Sequence, residues 1–314
     1  MRLQTNLNPF PTYFVSHGGP TFMYDSDSTG NLGAWKTIKE LGRVIKNESK
    51  PDYIIVVSAH WQSGGQNMIE VGAPDLREGH QELESPLIYD FHGFPRHMYS
   101  EQFHTKNSLP MAREITKHLQ SNGFQSKLTK RGIDHGVWVP LKVAFTDYNS
   151  FSEKQPNGLD LPETSLIQVS LTSNENDFST HYKLGQVLNH FRENMFWDEG
   201  QQKYLKGLVI CSGMSVHNLH DLGVMFRNPG SVMPYTKPFN DLLTKTLVSS
   251  PNNLQDFLDI QQNQSQLLRL AHPTVEHLVP AIVAAGINNV SSGKVQELYN
   301  DENGSLGWGI YQFG

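Results

Sequence analysis

The segment Tyr-Ile-Ile-Val-Val-Ser-Ala-His-Trp, residues 53–61, joins a strong strand signal to a histidine near its end. The run Tyr53–Ser58 is apolar almost throughout and rich in β-branched side chains. This composition is typical of a strand that a sheet buries on both faces. His60 follows the run after a single small residue. The segment therefore predicts a central strand whose carboxyl end carries a candidate functional side chain.

Short apolar runs of this kind alternate with amphipathic stretches along the whole chain. Further buried strands are predicted at Thr12–Ser16, Leu166–Leu171 and Leu208–Cys211. Helices are predicted over Ala34–Lys46, Leu109–Leu119, Phe178–Phe196, Pro238–Val248, Leu254–Leu268 and Thr274–Ala285, and a C-terminal hairpin over Lys294–Tyr299 and Gly307–Phe313. This alternation predicts an α/β fold: a single domain over residues 1–314, with a central mostly parallel or mixed sheet and helices on both faces.

Three segments depart from the alternation. Tyr148–Thr164 and Asp198–Tyr204 are polar, and we interpret them as surface insertions and not as domain linkers, because strands and helices resume directly after each. Gln62–Tyr99 is long and shows few regular patterns. Loops of this length inside a compact domain are usually functional, so we expect this segment to contribute to a site.

Composition limits the classes of function. The 314 residues carry a formal net charge of −6 and no dense block of Lys or Arg, which disfavours nucleic acids and membranes as partners. No stretch approaches the roughly 20 apolar residues that span a bilayer. No secretory signal precedes Pro11, so we expect a cytoplasmic protein, and the sequence does not indicate its oligomeric state. The chain contains one cysteine and 14 histidines. Imidazole and carboxylate groups would therefore have to hold any bound metal ion.

Three histidines share one local arrangement. His17 follows Thr-Tyr-Phe-Val-Ser, His60 follows the run described above, and His217 follows Leu-Val-Ile-Cys-Ser-Gly-Met-Ser-Val. In open α/β sheets, ligands bind in the crevice beyond the carboxyl ends of the strands. A single histidine in such a position is more often a helix cap or a hydrogen-bonded residue near the core. Three of them together predict a shared site for a divalent transition metal.

The segment Ala-His-Pro-Thr-Val-Glu-His-Leu-Val-Pro, residues 271–280, offers a fourth group. On a helix, His272 and Glu276 would lie on one face. His277 would lie about 100° round from Glu276, so these two could not both point straight at one ion. The alternative is that His272 caps the helix and Glu276 faces solvent. We predict that one residue of this segment completes the site, and the spacing leaves open which one.

Two further histidines are candidates on local grounds. Asp134 precedes His135 in a glycine-containing turn, where a carboxylate would tune the imidazole; Asp134 would equally serve as an N-cap for the next helix. His181 lies near the start of the predicted Phe178–Phe196 helix, where a surface position and a functional one are both open. The other histidines have no such pattern: His80, His92, His97, His104, His118, His190 and His220.

Six motifs connect these residues to a known family. They are SHGGP at residues 16–20, VVSAHW at 56–61, YDFHGFP at 89–95, IDHGVWVPL at 133–141, SGMSVHNL at 212–219 and HPTVEHLVP at 272–280. Their order resembles that of the class III extradiol ring-cleavage dioxygenases, and the branch most similar is the 4,5-DOPA extradiol dioxygenase-like proteins. The resemblance runs from residue 11 to about residue 313. It implies a single α/β domain with one mononuclear metal ion, Zn²⁺ or Fe²⁺.

The resemblance also implies the metal ligands. His17 and His60 match the first two ligands of the family, and His277 matches the later ligand of the DOPA-dioxygenase branch. His217 matches a fourth ligand of zinc-containing members. In an iron-dependent branch the histidine that corresponds to His217 is the acid/base beside the metal.

Other residues match groups around the metal. His135 and His181 match histidines that line the pocket, and the loop Tyr89–Pro95 resembles a loop on the substrate side. Our first choice for the base that deprotonates the substrate is His217 and the second is His135. An imidazole near its ordinary pKa suits proton transfer at neutral pH.

The function implied by the resemblance is ring-opening dioxygenation of a DOPA-like catechol with O₂. Iron extradiol enzymes typically use two histidines and one carboxylate, whereas the set here is all histidine and also suits zinc. One alternative is therefore a zinc-dependent hydrolase on the same scaffold. A second alternative is a non-catalytic partner-binding member of the wider family, which ranks last because every key histidine is present.

Overall fold

The computed structural model describes residues 1–26, 30–74, 84–148, 158–291 and 293–314. Its strands are β1 (Leu3–Thr5), β2 (Thr12–Ser16), β3 (Tyr53–Gln62), β4 (Met68–Ala73), β5 (Gln125–Lys130), β6 (Ser165–Leu171), β7 (Asn194–Asp198), β8 (Lys203–Leu205), β9 (Gly207–Gly213), β10 (Val216–His217), β11 (Val295–Tyr299), β12 (Glu302–Asn303), β13 (Leu306–Gly307) and β14 (Ile310–Phe313). Its helices are α1 (Leu32–Val44), α2 (Leu109–Ser121), α3 (His135–Phe145), α4 (Phe178–Leu188), α5 (His190–Glu193), α6 (Leu222–Arg227), α7 (Thr236–Ser249), α8 (Asn253–Asn263), α9 (Ser265–Ala271) and α10 (Val279–Ser291).

An eight-stranded mixed sheet organises these elements, in the order β11-β14-β2-β9-β3-β6-β4-β5. The four central strands, β2, β9, β3 and β6, run parallel to one another. Antiparallel neighbours flank them, β14 beside β2 and β4 beside β6. The paired strands β11 and β14 confirm the predicted C-terminal hairpin. The prediction of an α/β fold with a central mixed sheet is confirmed.

The strand β3 shows why the sheet is covered on both faces. Successive side chains of a strand point to opposite faces. Ile54 and Val56 accordingly pack in the core that includes residues of α1 and α3, whereas Ile55 and Val57 pack in the core that includes residues of α4 and α10. All four side chains are fully buried. Each contributes about 1.5–3 kcal/mol to folding by leaving water, so the apolar run has a strong reason to occupy the centre of the sheet.

Two predicted helices differ from the observed ones. The helix predicted over Phe178–Phe196 stops at Leu188, and after the short α5 the chain forms β7. Phe196 and its neighbours pair with β1 on one side and with β8 on the other. The helix predicted over Leu254–Leu268 divides at Gln264 into α8 and α9. In the first case strand pairing between distant segments overrides the helical spacing of the apolar residues.

The helix predicted from Thr274 begins only at Val279, so Pro280 and not Pro273 lies in its first turn. Residues 272–278 form turns instead. The helical-face argument for His272, Glu276 and His277 is therefore wrong. In a turn, neighbouring side chains are not held 100° apart, and Glu276 and His277 hydrogen bond to each other.

Two of the three segments for which no regular structure was predicted contribute strands to the sheets. Asp198–Tyr204 contains the tight connection of the β7–β8 hairpin. Most of Tyr148–Thr164 lies outside the described residues, as does 75–83 within Gln62–Tyr99. The described part of Gln62–Tyr99 contains β4, which the sequence analysis did not predict. None of the helices in the described ranges is long and apolar enough to cross a bilayer.

Candidate metal centre

Four histidines lie at one edge of the sheet. His17 directly follows β2, His60 lies near the end of β3, and His217 lies in β10, shortly after β9. Because β2, β9 and β3 are parallel, their carboxyl ends meet at this edge. His277 reaches the same place from the turn before α10, where its carbonyl accepts a hydrogen bond from Met214 N at 3.0 Å.

Three imidazoles bring their Nε2 atoms together. His60 Nε2 lies 3.1 Å from His17 Nε2 and 3.2 Å from His277 Nε2. In a tetrahedral site with metal–nitrogen bonds of about 2.0–2.1 Å, two ligand atoms lie about 3.3–3.4 Å apart. The observed separations are close to this value. Each of these two pairs of nitrogens therefore has the spacing that two ligands of a small divalent cation require.

The hydrogen bonds of Ser212 determine the tautomer of His17. Ser212 Oγ donates to the Gly136 carbonyl at 2.5 Å, so its own hydrogen is used there. His17 Nδ1 lies 3.0 Å from the same oxygen and must donate to it. With its hydrogen on Nδ1, His17 has a free lone pair on Nε2, the atom that faces His60.

Carboxylates lie beside the Nδ1 atoms of the other two rings. Glu276 Oε1 accepts from His277 Nδ1 at 2.9 Å, and Asp90 Oδ2 lies 3.5 Å from His60 Nδ1. Both contacts favour the tautomer that leaves Nε2 without a hydrogen. Lone pairs as close as those of His60 and each of its two neighbours repel one another unless a cation lies between them. The donor set therefore fits a metal ion.

The charge state of the rings agrees with this interpretation. Burial, with help from the neighbouring histidines, lowers the pKa of His17 and of His277 well below the ordinary value. Burial and the adjacent His135 lower the pKa of His60 to about 4. Near pH 7 these rings are therefore neutral. Neutral imidazole is the form that binds a metal.

His135 lies beside the three rings at the start of α3, and its centroid is 4.0 Å from that of His60. Its backbone N and its Nδ1 both donate to Asp90 Oδ1, at 3.0 and 2.9 Å. Burial raises the pKa of Asp90, but these hydrogen bonds outweigh it and lower the pKa to about 2. Asp90 is thus a fixed carboxylate that orients His135.

Asp134 is the N-cap residue of α3, one of the two roles considered for it, but its side chain does not cap the helix. It has no side-chain hydrogen bond to the start of α3, and its carboxylate instead accepts from Ser58 Oγ and Arg131 Nη1. The next residue but one, Gly136, has a clearer function. A Cβ atom there would lie 2.6 Å from Ser58 Oγ and 2.7 Å from His60 Cδ2. Only glycine lets α3 approach the histidines so closely.

His217 borders the cluster from its other side. Its ring stacks on that of His277 with a centroid distance of 3.6 Å and an interplanar angle of 16°. One ring nitrogen of His217, one of His277 and a carboxylate oxygen of Glu276 lie within 4.8 Å of one another. Burial lowers the pKa of His217 to about 4. The ring is therefore neutral near pH 7 and can accept a proton, but it is a weaker base than the imidazole of ordinary pKa that the sequence analysis expected.

His181 and His272 lie apart from the cluster, and neither is among the residues that line the cavity described below. His181 is fully buried; its Nδ1 donates to the Asp177 carbonyl at 2.8 Å, and its Nε2 accepts from Thr172 N at 3.2 Å. His272 Nε2 donates to the Ser215 carbonyl at 3.0 Å. Both nitrogens of His181 thus form hydrogen bonds within the fold. The resemblance implied that His181 lines the pocket, but the structure places it away from the cavity.

A cavity of about 950 Å³ opens over the cluster. Its lining includes the aromatic side chains of Phe91, Phe94 and Trp308 and two carboxylates, Glu175 and Glu276. Five of the predicted histidines line it: His17, His60, His135, His217 and His277. The cavity is large enough for a small aromatic molecule beside the nitrogen atoms.

Sequence reasoning missed several residues of this site. His92 lines the cavity although it was set aside as background. Asp90 was recognised only as part of a loop, and neither Ser212 nor Glu175 was singled out. The signal for Asp90 lay in its motif, YDFHGFP, but its partner His135 is 45 residues away. Local sequence carries no information about such a pairing.

We expect Ser212→Ala to weaken metal binding about 10–100-fold, the usual effect of removing a group that orients a ligating histidine. The variant leaves His17 Nδ1 without an acceptor, so the ring is free to turn. Metal affinity is measured by competition with a chromogenic chelator. Ser170→Ala is the matched control, because this buried hydroxyl of β6 bonds to Glu70 N and not to the cluster. Equal affinity in Ser212→Ala and wild type would contradict the assigned hydrogen bond.

The buried His181 predicts acid sensitivity of the metal-free protein. Burial lowers its pKa to about 4, whereas the unfolded chain titrates near 6.5. The unfolded state therefore binds the proton first, so stability is complete above pH 6.5 and falls as the pH drops toward 4. This residue should cost up to about 3 kcal/mol at pH 4. Urea unfolding at several pH values measures the loss. His181→Gln, which keeps a donor and an acceptor but does not titrate, should show a correspondingly weaker pH dependence; an unchanged one would contradict the prediction.

Nearly the whole chain matches a known protein family. Residues 11–313 match the family model described as the catalytic LigB subunit of aromatic ring-opening dioxygenase. A 4,5-DOPA dioxygenase extradiol-like protein of Schizosaccharomyces pombe is 30% identical over 91% of this chain and 87% of its own length. A 4,5-DOPA dioxygenase extradiol of Beta vulgaris is 30% identical over 96% of both chains.

A solved structure shares the fold. The crystal structure of an uncharacterized protein from Escherichia coli K12 aligns with a TM-score of 0.67, at 23% identity, over 97% of this chain and 100% of that one. Enzymes of the matched family use a divalent metal ion, and the histidine cluster provides a place for one. The family model covers nearly the whole chain, which confirms the resemblance drawn from the six motifs. The chain belongs to the LigB family of aromatic ring-opening dioxygenases, the class III extradiol enzymes.

Proposed function

We propose that this protein is a metal-dependent extradiol dioxygenase that opens the ring of a DOPA-like catechol with O₂. The observation that carries the proposal is the convergence of three Nε2 lone pairs on the floor of a cavity of aromatic size. His17, His60 and His277 would hold the metal ion. When bound, the ion orients the catechol and dioxygen next to each other and spreads charge between them.

His217 is the residue that we propose to accept a proton from the catechol. The lone pair of an imidazole nitrogen lies in the plane of its ring, and the rings of His217 and His277 are nearly parallel with centroids 3.6 Å apart. The two lone pairs therefore cannot both point at one ion about 2.1 Å away. Since His277 already faces His17 and His60, this stacking favours the proton-transfer role of His217 over that of a fourth ligand. A neutral imidazole at the cavity wall suits general-base catalysis.

His135 would position the substrate. Asp90 takes the hydrogen of its Nδ1, so Nε2 is an acceptor for a hydroxyl group. Asp90 would also stabilise the imidazolium if His135 shared the proton. The aromatic side chains Phe91 and Trp308 provide an apolar wall beside the ring of the catechol. They exclude water, which strengthens every polar interaction of the buried groups.

The proposal is tested with protein that is reconstituted with Fe²⁺ under argon and then mixed with aerated DOPA or methylcatechol. We expect consumption of one O₂ per catechol and formation of a yellow ring-opened product. Protein loaded with Zn²⁺ is the matched control, because zinc has no redox chemistry and should not support the reaction. The absence of oxygen uptake with every catechol would overturn the proposal.

The three-histidine set supports a second candidate, a zinc-dependent hydrolase. Its spacing suits tetrahedral zinc, and catalytic zinc sites keep three protein ligands with a fourth position for water. Hydrolysis of an ester panel by the Zn²⁺ protein, without oxygen uptake by the Fe²⁺ protein, would favour it.

A further inference from the structure

The strand β3 leaves the regular pairing of the sheet just where it carries His60. Its pairing with β6 breaks between Val57 and Gln62, so that residues 58–61 lie opposite a single residue of β6. On its other side, the pairing with β9 ends at Ser58. Bulges of this kind redirect a side chain and are common beside active sites. Among the described strands, His60 therefore has no partner in either ladder, and the sheet does not fix its backbone.

Side chains hold the backbone of His60 in place of the ladders. Its N–H donates to Ser58 Oγ at 3.1 Å, and its carbonyl accepts from Arg131 Nη2 at 3.3 Å. Both contacts lead to Asp134, whose Oδ1 accepts from Ser58 Oγ at 2.8 Å and whose Oδ2 accepts from Arg131 Nη1 at 3.1 Å. One carboxylate thus connects the groups that bind the two polar atoms of the His60 backbone.

This carboxylate is fully buried, and Arg131 is its ion-pair partner. Gln168 joins the pair, because its Nε2 donates to Asp134 Oδ2 and its Oε1 accepts from Arg131 Nη1 at 3.2 Å. The guanidinium also lies over the ring of Trp61, 4.5 Å from its centroid. A buried ion pair is often no more stabilising than apolar side chains of similar volume. Stability alone therefore does not account for a charge pair at this place, whereas the fixed position of His60 does.

The ring of His60 depends on its backbone more than the rings of the other two proposed ligands do. The Nδ1 atoms of His17 and His277 have hydrogen-bond partners at 3.0 and 2.9 Å. The corresponding atom of His60 lies 3.5 Å from Asp90 Oδ2, which is beyond the usual length of a hydrogen bond. The direction of His60 Nε2 is thus determined mainly by how the chain around it is held.

We propose that Arg131 and Asp134 are positioning residues that hold the backbone of His60 so that its Nε2 faces those of His17 and His277, and that they thereby set the affinity and geometry of the bound metal ion. The inference rests on the metal centre of the proposed function but not on the dioxygenase reaction. Arginine suits the role because its planar guanidinium offers several N–H groups in fixed directions, so it reaches the carboxylate and the carbonyl at once. A lysine ammonium keeps the charge but not this fixed geometry.

Arg131→Lys is the first test, because it retains the positive charge. We expect its Zn²⁺ affinity, measured by competition with a chromogenic chelator, to fall about 10–100-fold, the usual effect of removing a group that orients a ligand. Co²⁺-loaded protein gives a readout that a loss of stability alone does not change. The visible absorption bands of Co²⁺ report its coordination geometry, and in Arg131→Lys they should shift.

Arg192→Lys is the matched control. Arg192 is also a buried arginine that binds a backbone carbonyl, since its guanidinium donates to Phe10 O and to Asn189 Oδ1, and it does not line the cavity. Its Zn²⁺ affinity and Co²⁺ spectrum should match those of the wild type. Thermal unfolding of the metal-free proteins measures any loss of stability in the two variants separately from metal binding.

Ser58→Ala tests the other side of His60 and keeps the inference testable if Arg131→Lys does not fold. It removes one buried hydroxyl and leaves His60 N without its acceptor. We expect weaker Zn²⁺ binding and a shift of the Co²⁺ bands, as in Arg131→Lys.

The outcomes separate the inference from the function. Wild-type affinity with an unchanged Co²⁺ spectrum in Arg131→Lys and Ser58→Ala, or an equal loss of affinity in Arg192→Lys, would overturn the inference, even if the Fe²⁺-loaded wild type cleaves catechols. If affinity and spectrum change as expected but the Fe²⁺-loaded wild type consumes no oxygen with any catechol, the proposed dioxygenase activity is wrong while the roles of Arg131 and Asp134 stand.

Discussion

His60→Ala should abolish metal binding and, with it, oxygen-dependent cleavage of catechols. His60 Nε2 is the central atom of the cluster, 3.1 Å from one partner nitrogen and 3.2 Å from the other. Removing groups that merely orient a ligand already costs about 10–100-fold in affinity, and we expect loss of the central ligand to exceed this. Elemental analysis after dialysis should find less than ~0.1 metal ion per chain, and oxygen uptake should fall to the background.

The same variant separates loss of the ion from loss of the fold. A ligand at about 1,000 times its Kd stabilises the native state by about 4 kcal/mol, so Zn²⁺ should raise the thermal midpoint of the wild type. His60→Ala should unfold cooperatively but show no such increase. His220→Ala is the control, since this histidine is exposed and does not line the cavity. Full metal occupancy in His60→Ala would contradict the proposed centre.

His217→Gln should reduce kcat about 10²–10⁴-fold, the usual contribution of a general acid or base. Glutamine occupies a similar volume and is polar, but it cannot accept the proton of the catechol. Because the ring of His217 is stacked on that of His277 and lies in a separate plane, its lone pair does not point at the same ion and the metal should remain bound. The measurement is kcat from oxygen uptake together with metal content in the same preparation.

His135→Gln is the comparison that assigns the roles. Glutamine retains an acceptor but loses the contact of Nδ1 with Asp90, so KM should rise more than kcat falls if His135 positions the substrate. If His217→Gln lost its metal, His217 would be a fourth ligand, as in the zinc-containing relatives implied by the resemblance. If His135→Gln showed the larger loss of kcat, the proton-transfer role would belong to His135.

Tertiary contacts add much to the electrostatics of this site. Burial lowers the pKa of His17, His60, His277 and His217, so all four imidazoles are neutral near pH 7. A network of acceptors then decides which nitrogen of each ring carries the hydrogen: Ser212 for His17 and Glu276 for His277. The arrangement is thus prepared for a cation before one arrives, which reduces the reorganisation that binding requires.

The sequence by itself determined the central strands and the first two histidines of the proposed metal site. Thr12–Ser16 is recovered without change, and the run that starts at Tyr53 is the central strand β3. Such runs are informative because burial on both faces demands continuous apolar side chains, a property of neighbouring residues. His17 and His60 follow from the same logic, since the end of a parallel strand fixes the edge of the sheet at which its side chains lie.

Only the tertiary structure decided the rest of the site. Whether His277 or Glu276 faces the other rings depends on a turn that replaces the first part of the predicted helix, and the spacing had left this open. The pairing of Asp90 with His135 and the placement of Glu175 beside Glu276 join residues that are far apart in the chain. The physical reason is that hydrogen bonds and charges act through space, over a few ångströms, between segments whose separation along the sequence leaves no periodic pattern.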